Sequence, residues 1–206
     1  MGRTRTKADK RARKLRNERA RGRAGTPSSF EVRYATPDAL QVVGPLVKGV
    51  WSVPGALASR LIAAGRPVPP PVVGRLLVDT GATVTSISLD VSTQLGLQQI
   101  DVGQSYGAHG LQANRIFHAH LTIGIGVEGS DVRTEIRSDL RVAGIPEMNS
   151  LFQKMGVMDG NQDGGELIGL LGRDFLKHAI LTYDGPRGVV RVQVAVESLP
   201  DGPPGR

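Results

Sequence analysis

The chain contains no cysteine among its 206 residues. That single absence excludes disulfides, thiolate metal sites and a cysteine nucleophile, and it fits a reducing compartment. Aromatic residues are scarce, at 4%. A core must therefore be assembled from Val, Leu, Ile and Ala, and the β-branched members of that set favour strands. No apolar run approaches the roughly 18 residues needed to cross a bilayer. The N-terminus is basic with no apolar stretch behind it, so no secretory signal is read there. The expectation is a soluble, cytoplasmic protein. A Gly-x-Ser-x-Gly elbow is also missing, which leaves serine hydrolase chemistry without support.

What is present is unevenly distributed. The formal net charge is +7. Residues 1–23 hold 11 Lys and Arg against Asp9 and Glu18, and the remainder carries 15 basic and 17 acidic residues. The basicity thus belongs to a tail. Residues 1–28 have too little apolar surface to offset the entropy of ordering, and so do the Pro/Gly-rich residues 199–206. Between them, 29–198 reads as one domain. The whole chain's 39% hydrophobic content suffices for a core, and its 27 glycines and 13 prolines imply many turns.

Short apolar runs separated by turn residues predict strands over 30–34, 45–53, 72–79, 83–88, 100–105, 112–127, 132–142 and 166–171. Residues 180–183 and 189–196, joined by Asp184-Gly185-Pro186-Arg187-Gly188, predict a terminal hairpin. Helical spacing of Leu57, Ala58, Leu61 and Ile62, with Gly65 at a C-cap position, predicts a helix from Ser52 or Pro54 to Ala64. Shorter helical turns are expected at 89–95, 146–155 and 174–178. Many short strands with few helices point to an all-β barrel or sandwich.

The stretch with chemical content is Leu76-Leu77-Val78-Asp79-Thr80-Gly81-Ala82. An apolar strand ends in a carboxylate, followed by a hydroxyl and two small residues. The strand fixes Asp79 at a core edge, the hydroxyl of Thr80 can anchor the turn, and Gly81 and Ala82 leave room for a second chain. A lone ionised carboxylate there is costly. Opposed to a second carboxylate, it can share a proton and divide acid and base roles.

Together with Ile168-Gly169-Leu170-Leu171-Gly172-Arg173-Asp174-Phe175-Leu176, this triplet resembles the retropepsin family of aspartic proteases over roughly residues 45–196. The resemblance implies a closed acid-protease barrel with a flap hairpin, one short C-terminal helix and one or two inserted helices. It makes Asp79 the catalytic residue, with Thr80, Gly81 and Ala82 supporting its loop. It places Leu170, Leu171, Gly172, Arg173 and Asp174 behind that loop and at a dimer interface. One triplet is present, so the resemblance implies a homodimer with a two-fold axis through the site, Thr80 bonding across it. Tyr106, Gly107, His109 and Gly110, in a glycine-rich hairpin tip, fall where the family has its flap. The expected activity is endopeptidase action on a peptide or protein substrate, with no metal and no organic cofactor. Segments 54–65 and 146–165 resemble the decorations of cellular members.

Other signals are weaker. Asp159 to Gly164 matches half of a calcium loop, but Leu170 stands where a bidentate Glu is needed. His118 and His120 share one face of a strand without a third metal ligand. Residues 3–23 offer a nucleic-acid-binding segment through phosphate contacts, although no aromatics are available to stack on bases. The alternative function is a catalytically silent dimerisation or peptide-binding module recruited by that tail.

Overall fold

The computed structural model describes residues 28–34, 36–107, 110–126, 133–148 and 165–194. Most of the basic segment, residues 149–164 of the 146–165 insertion and the C-terminal segment from 195 lie outside the described residues. Among the described residues ten strands form two sheets. They are β1 (Ser28–Arg33), β2 (Leu46–Ser52), β3 (Val72–Val78), β4 (Ser86–Ser88), β5 (Gln99–Gly107), β6 (Gly110–Gly126), β7 (Arg133–Ile145), β8 (Leu167–Leu171), β9 (Ala179–Asp184) and β10 (Val189–Val194). Among the described residues four α-helices are interspersed: α1 (Pro37–Val43), α2 (Gly55–Ala63), α3 (Leu89–Gln94) and α4 (Arg173–Leu176). Strand is the dominant state. Among the described residues no helix is long and apolar enough to cross a membrane.

The larger sheet runs β2-β3-β8-β4-β7-β6-β5, and β2 pairs with β6 as well. The smaller sheet runs β1-β10-β9, all antiparallel. Two pairings are parallel, β3 with β8 and β4 with β7. Strand β8 therefore lies between β3 and β4, and the chain leaving β3 must pass around the end of β8 to enter β4.

The core follows from strand alternation. Val47 and Trp51 of β2, Leu76 and Val78 of β3, Phe117, Ala119, Leu121 and Ile123 of β6, and Val190, Val192 and Val194 of β10 join one buried cluster. Each fully buried large side chain contributes about 1.5–3 kcal/mol of transfer free energy. Trp51 is fully buried, and its indole N–H donates to the Ile168 carbonyl at 3.2 Å, which satisfies its one polar atom. A second small cluster of Leu46, Met148 and Leu167 sits on the other face of β2 and β8.

Two expectations are corrected in detail. Helix α1 was not anticipated, although its start is written in the sequence. Thr36 accepts from the Ala39 N–H, Pro37 opens the first turn and Asp38 lies within it. Strand β4 covers only Ser86–Ser88 and not 83–88. Residues 82 and 83 are turned away from strand pairing because their carbonyls accept from the Arg173 and Asp174 amides. The helix at 55–63 is α2, begun by Pro54 and closed by Gly65 at φ 66°. The calcium-like loop falls largely outside the described residues, and its final position, Leu170, belongs to β8.

Candidate active site

Strand β3 delivers Asp79. Gly74, Leu76 and Val78 point inward, and the ladder to β8 extends one residue further, with the Asp79 N–H donating to the Leu171 carbonyl at 3.0 Å. The side chain is half-buried at the end of the strand. Its Oδ1 accepts from the Gly81 N–H at 2.8 Å and the Ala82 N–H at 3.2 Å, closing a tight turn on its own carboxylate. A Cβ at Gly81 would stand 3.1 Å from that oxygen, so glycine suits the turn. Asp79 Oδ2 accepts no hydrogen bond among the described residues. One oxygen is thus fixed by backbone amides and the other is open to a water or a proton.

The loop after Asp79 is held from behind by the Gly172-Arg173-Asp174 segment. The Arg173 guanidinium donates to the carbonyls of Thr80 at 3.0 Å and Gly81 at 3.2 Å, and to Thr83 Oγ1 at 2.9 Å. Its backbone N–H donates to the Ala82 carbonyl at 2.9 Å. Asp174 Oδ1 accepts three bonds: from Thr85 N–H at 2.8 Å, Thr85 Oγ1 at 2.7 Å and Phe175 N–H at 2.9 Å. Thr85 Oγ1 in turn accepts from the Gly172 N–H at 3.1 Å, and Thr85 is fully buried. Arg173 and Asp174, expected at a dimer interface, spend these contacts inside one chain.

Gly172 is where the two segments touch. An added Cβ would meet the Val84 carbonyl carbon at 2.5 Å and the Thr85 nitrogen at 2.7 Å. Both are backbone atoms that cannot swing aside. Leu171 is fully buried in the main cluster, and Leu170 packs against the second one. Together they seat the segment on both faces of β8. Thr80 and Gly81 are exposed and Ala82 is half-buried.

The hairpin of β5 and β6 pairs from Gln99↔Phe117 to Gly107↔Gly110. Tyr106 and Gly107 close β5, and Gly110 opens β6 at φ 87°, a left-handed conformation that favours glycine. His109 lies outside the described residues. His118 and His120 share the outer face of β6. His120 Nδ1 is hydrogen-bonded to Asp139 Oδ1 on β7. Among the described residues no three potential ligands gather to hold a metal.

Resolved pKa shifts fall away from the loop. The Arg191 and Arg33 guanidinium groups hold the Glu31 carboxyl below its usual range. The Val102 N–H and Arg141 do the same for Asp101. Burial pushes the Tyr34 phenol up.

Sequence reasoning missed Thr83 and Thr85 as loop residues. Their signal was available. A Thr-x-Thr one residue beyond the triplet, after Ala82, in a run read as strand, places a hydroxyl at an inward position where it needs a buried partner. No protein-family model matches this chain, and no curated protein matches it.

Proposed function

We propose that this chain is one half of a retropepsin-type aspartic endopeptidase, completed by a second copy. The observation that carries the reading is the Asp79 turn. A carboxylate stands at the end of a core strand, one oxygen held by two backbone amides, with the Gly172–Asp174 segment locked behind it. A closed barrel is supported by β2 pairing with both β3 and β6, which returns the ladder β2-β3-β8-β4-β7-β6 to its start.

In this reading the Asp79 carboxyl groups of two copies face each other and hold one proton between them, because two like charges in contact cannot both ionise readily. The ionised member takes a proton from a water bound between them. The protonated member hydrogen-bonds the peptide carbonyl oxygen as the water oxygen adds to its carbon. Collapse of the tetrahedral intermediate returns a proton to the departing amine. The β5–β6 hairpin acts as the flap that covers the peptide and excludes water. Peptide or protein is the substrate, and no metal enters the chemistry.

The test is a mass-spectrometric cleavage profile of a peptide library from acid to neutral pH, for wild type beside Asp79→Asn. Cleavage is expected from wild type and not from the variant, with the sedimentation coefficient unchanged. Undiminished cleavage by Asp79→Asn ends the proposal. The concentration of positive charge in residues 3–23 favours a second reading, a silent module brought to nucleic acid by its tail. No cleavage at any pH, with salt-sensitive nucleic-acid retention lost on deleting residues 1–25, selects that reading.

A further inference from the structure

Strand β6 has two regimes. From Ile116 to Gly126 it pairs with β7, whereas, among the described residues, 110–115 pair with β5 alone. Within the sheet the odd-numbered residues Phe117, Ala119, Leu121 and Ile123 are buried in the main cluster. Because alternation along a strand has period two, Leu111, Ala113 and Arg115 continue that inward parity over residues 110–115. Across the hairpin, Val102 is directly opposite Arg115, and Gln104 opposite Ala113. Val102 and Leu111 are 57% and 62% exposed, large values for aliphatic side chains with inward parity.

The two faces of the hairpin differ in charge. On the outer face Asp101 is neutralised by Arg141 at 2.7 Å. On the inward-parity face Arg115 is exposed and has no ion pair among the described residues. In the endopeptidase reading, where this hairpin is the flap, this second face is the one turned toward the bound peptide. It presents the Arg115 guanidinium with exposed Val102 directly across from it, and exposed Leu111 four residues away along β6.

We propose that Arg115 selects an acidic side chain in the bound peptide, next to an aliphatic side chain received by Val102, which lies directly across the hairpin from it. This rests on the endopeptidase reading above and names its substrate class: extended peptides in which Asp or Glu neighbours Val, Leu or Ile. A guanidinium is suited to that task because its planar donors match a carboxylate with two parallel bonds. The aliphatic neighbour lowers the local dielectric and strengthens the pair.

The experiment uses the full chain and peptides identical except for Glu, Gln or Lys beside an aliphatic residue. Binding is read by fluorescence anisotropy on Asp79→Asn, with and without Arg115→Glu. Cleavage is read as kcat/KM on the Asp79-containing protein, with and without the same change. With Arg115 intact, Glu is expected to exceed Lys by about tenfold in both readouts, roughly the worth of one charge-assisted hydrogen bond. Arg115→Glu is expected to reverse the order, and Arg115→Gln to flatten it. Asp79-dependent cleavage with no Glu-to-Lys preference overturns this inference and leaves the endopeptidase standing. A binding preference that reverses with Arg115, without any cleavage, upholds the recognition and removes the catalysis. No peptide binding at all overturns the inference.

Discussion

Replacing Asp174 tests whether the loop carrying Asp79 is held by its rear contacts. Asp174 Oδ1 accepts from both the N–H and the hydroxyl of Thr85, a fully buried residue, and from the Phe175 N–H. Asp174→Ala orphans the two donors of buried Thr85 at a position that is itself only half-buried, so water partly replaces the lost acceptor. At the lower part of roughly 1–3 kcal/mol for each unsatisfied donor, the loss is about 2–3 kcal/mol. Asp174→Asn keeps an acceptor oxygen in the same position and gives up only the charge, for about 1 kcal/mol. The assay is urea denaturation followed by circular dichroism, at several protein concentrations because the proposed association with a second copy would stabilise by mass action. The midpoint is expected to fall more for Ala than for Asn at an unchanged slope. Peptide cleavage by the Asn variant is expected to persist at reduced rate, since the Asp79 turn keeps its own amides. Equal midpoints for Ala and Asn would falsify the reasoning, because the bonds to Thr85 would then carry no weight.

Gly172→Ala is expected to cost at least about 2 kcal/mol, in the upper part of the overpacking range, since its Cβ meets the backbone of Val84 and Thr85. The same urea titration reads it, and a loss below 0.5 kcal/mol, about the noise of surface changes, contradicts the contact. Glu31, flanked by Arg191 and Arg33, has a depressed carboxyl pKa, so its contribution is present above its unfolded value and is lost as pH falls through the folded one. Glu31→Gln is accordingly expected to lower stability at pH 7 by no more than about 1 kcal/mol, since the pair is largely exposed. That difference should shrink as pH falls below the usual glutamate range and vanish once the carboxylate is protonated in the folded state as well.

The sequence was most readable where local rules act alone. Strand β3 ends at Val78 just before Asp79, α2 closes at Gly65, and the hairpin of β9 and β10 turns through Asp184 to Gly188 at φ 61°. Each depends on neighbours a few residues apart. Helix α1 was equally local and was passed over because its seven residues bury only Leu40 and show no long periodicity. The truncation of β4 was not legible, since it follows from amides of Arg173 and Asp174 some ninety positions away. The same distance hid the role of Thr85. The triplet at Asp79 and the Leu170–Asp174 segment could each be picked out by residue type. Their contact through Gly172 depends on β8 entering between β3 and β4, a non-local arrangement that no spacing along the chain encodes.

That placement of β8 also has a consequence in time. Among the described residues, strands β3 and β4 do not pair with each other, and each pairs with Leu167–Leu171. Joining them closes a loop of about ninety residues, and contacts of such sequence separation form late and slowly. During synthesis, at about 5–20 residues per second, Asp79 is out of the ribosome for several seconds before its supporting strand exists. Until then its carboxylate sits on an unanchored turn. In the endopeptidase reading, a nascent chain therefore carries Asp79 without a built site, and hydrolytic competence would arrive only after nearly all of the folded body has been made.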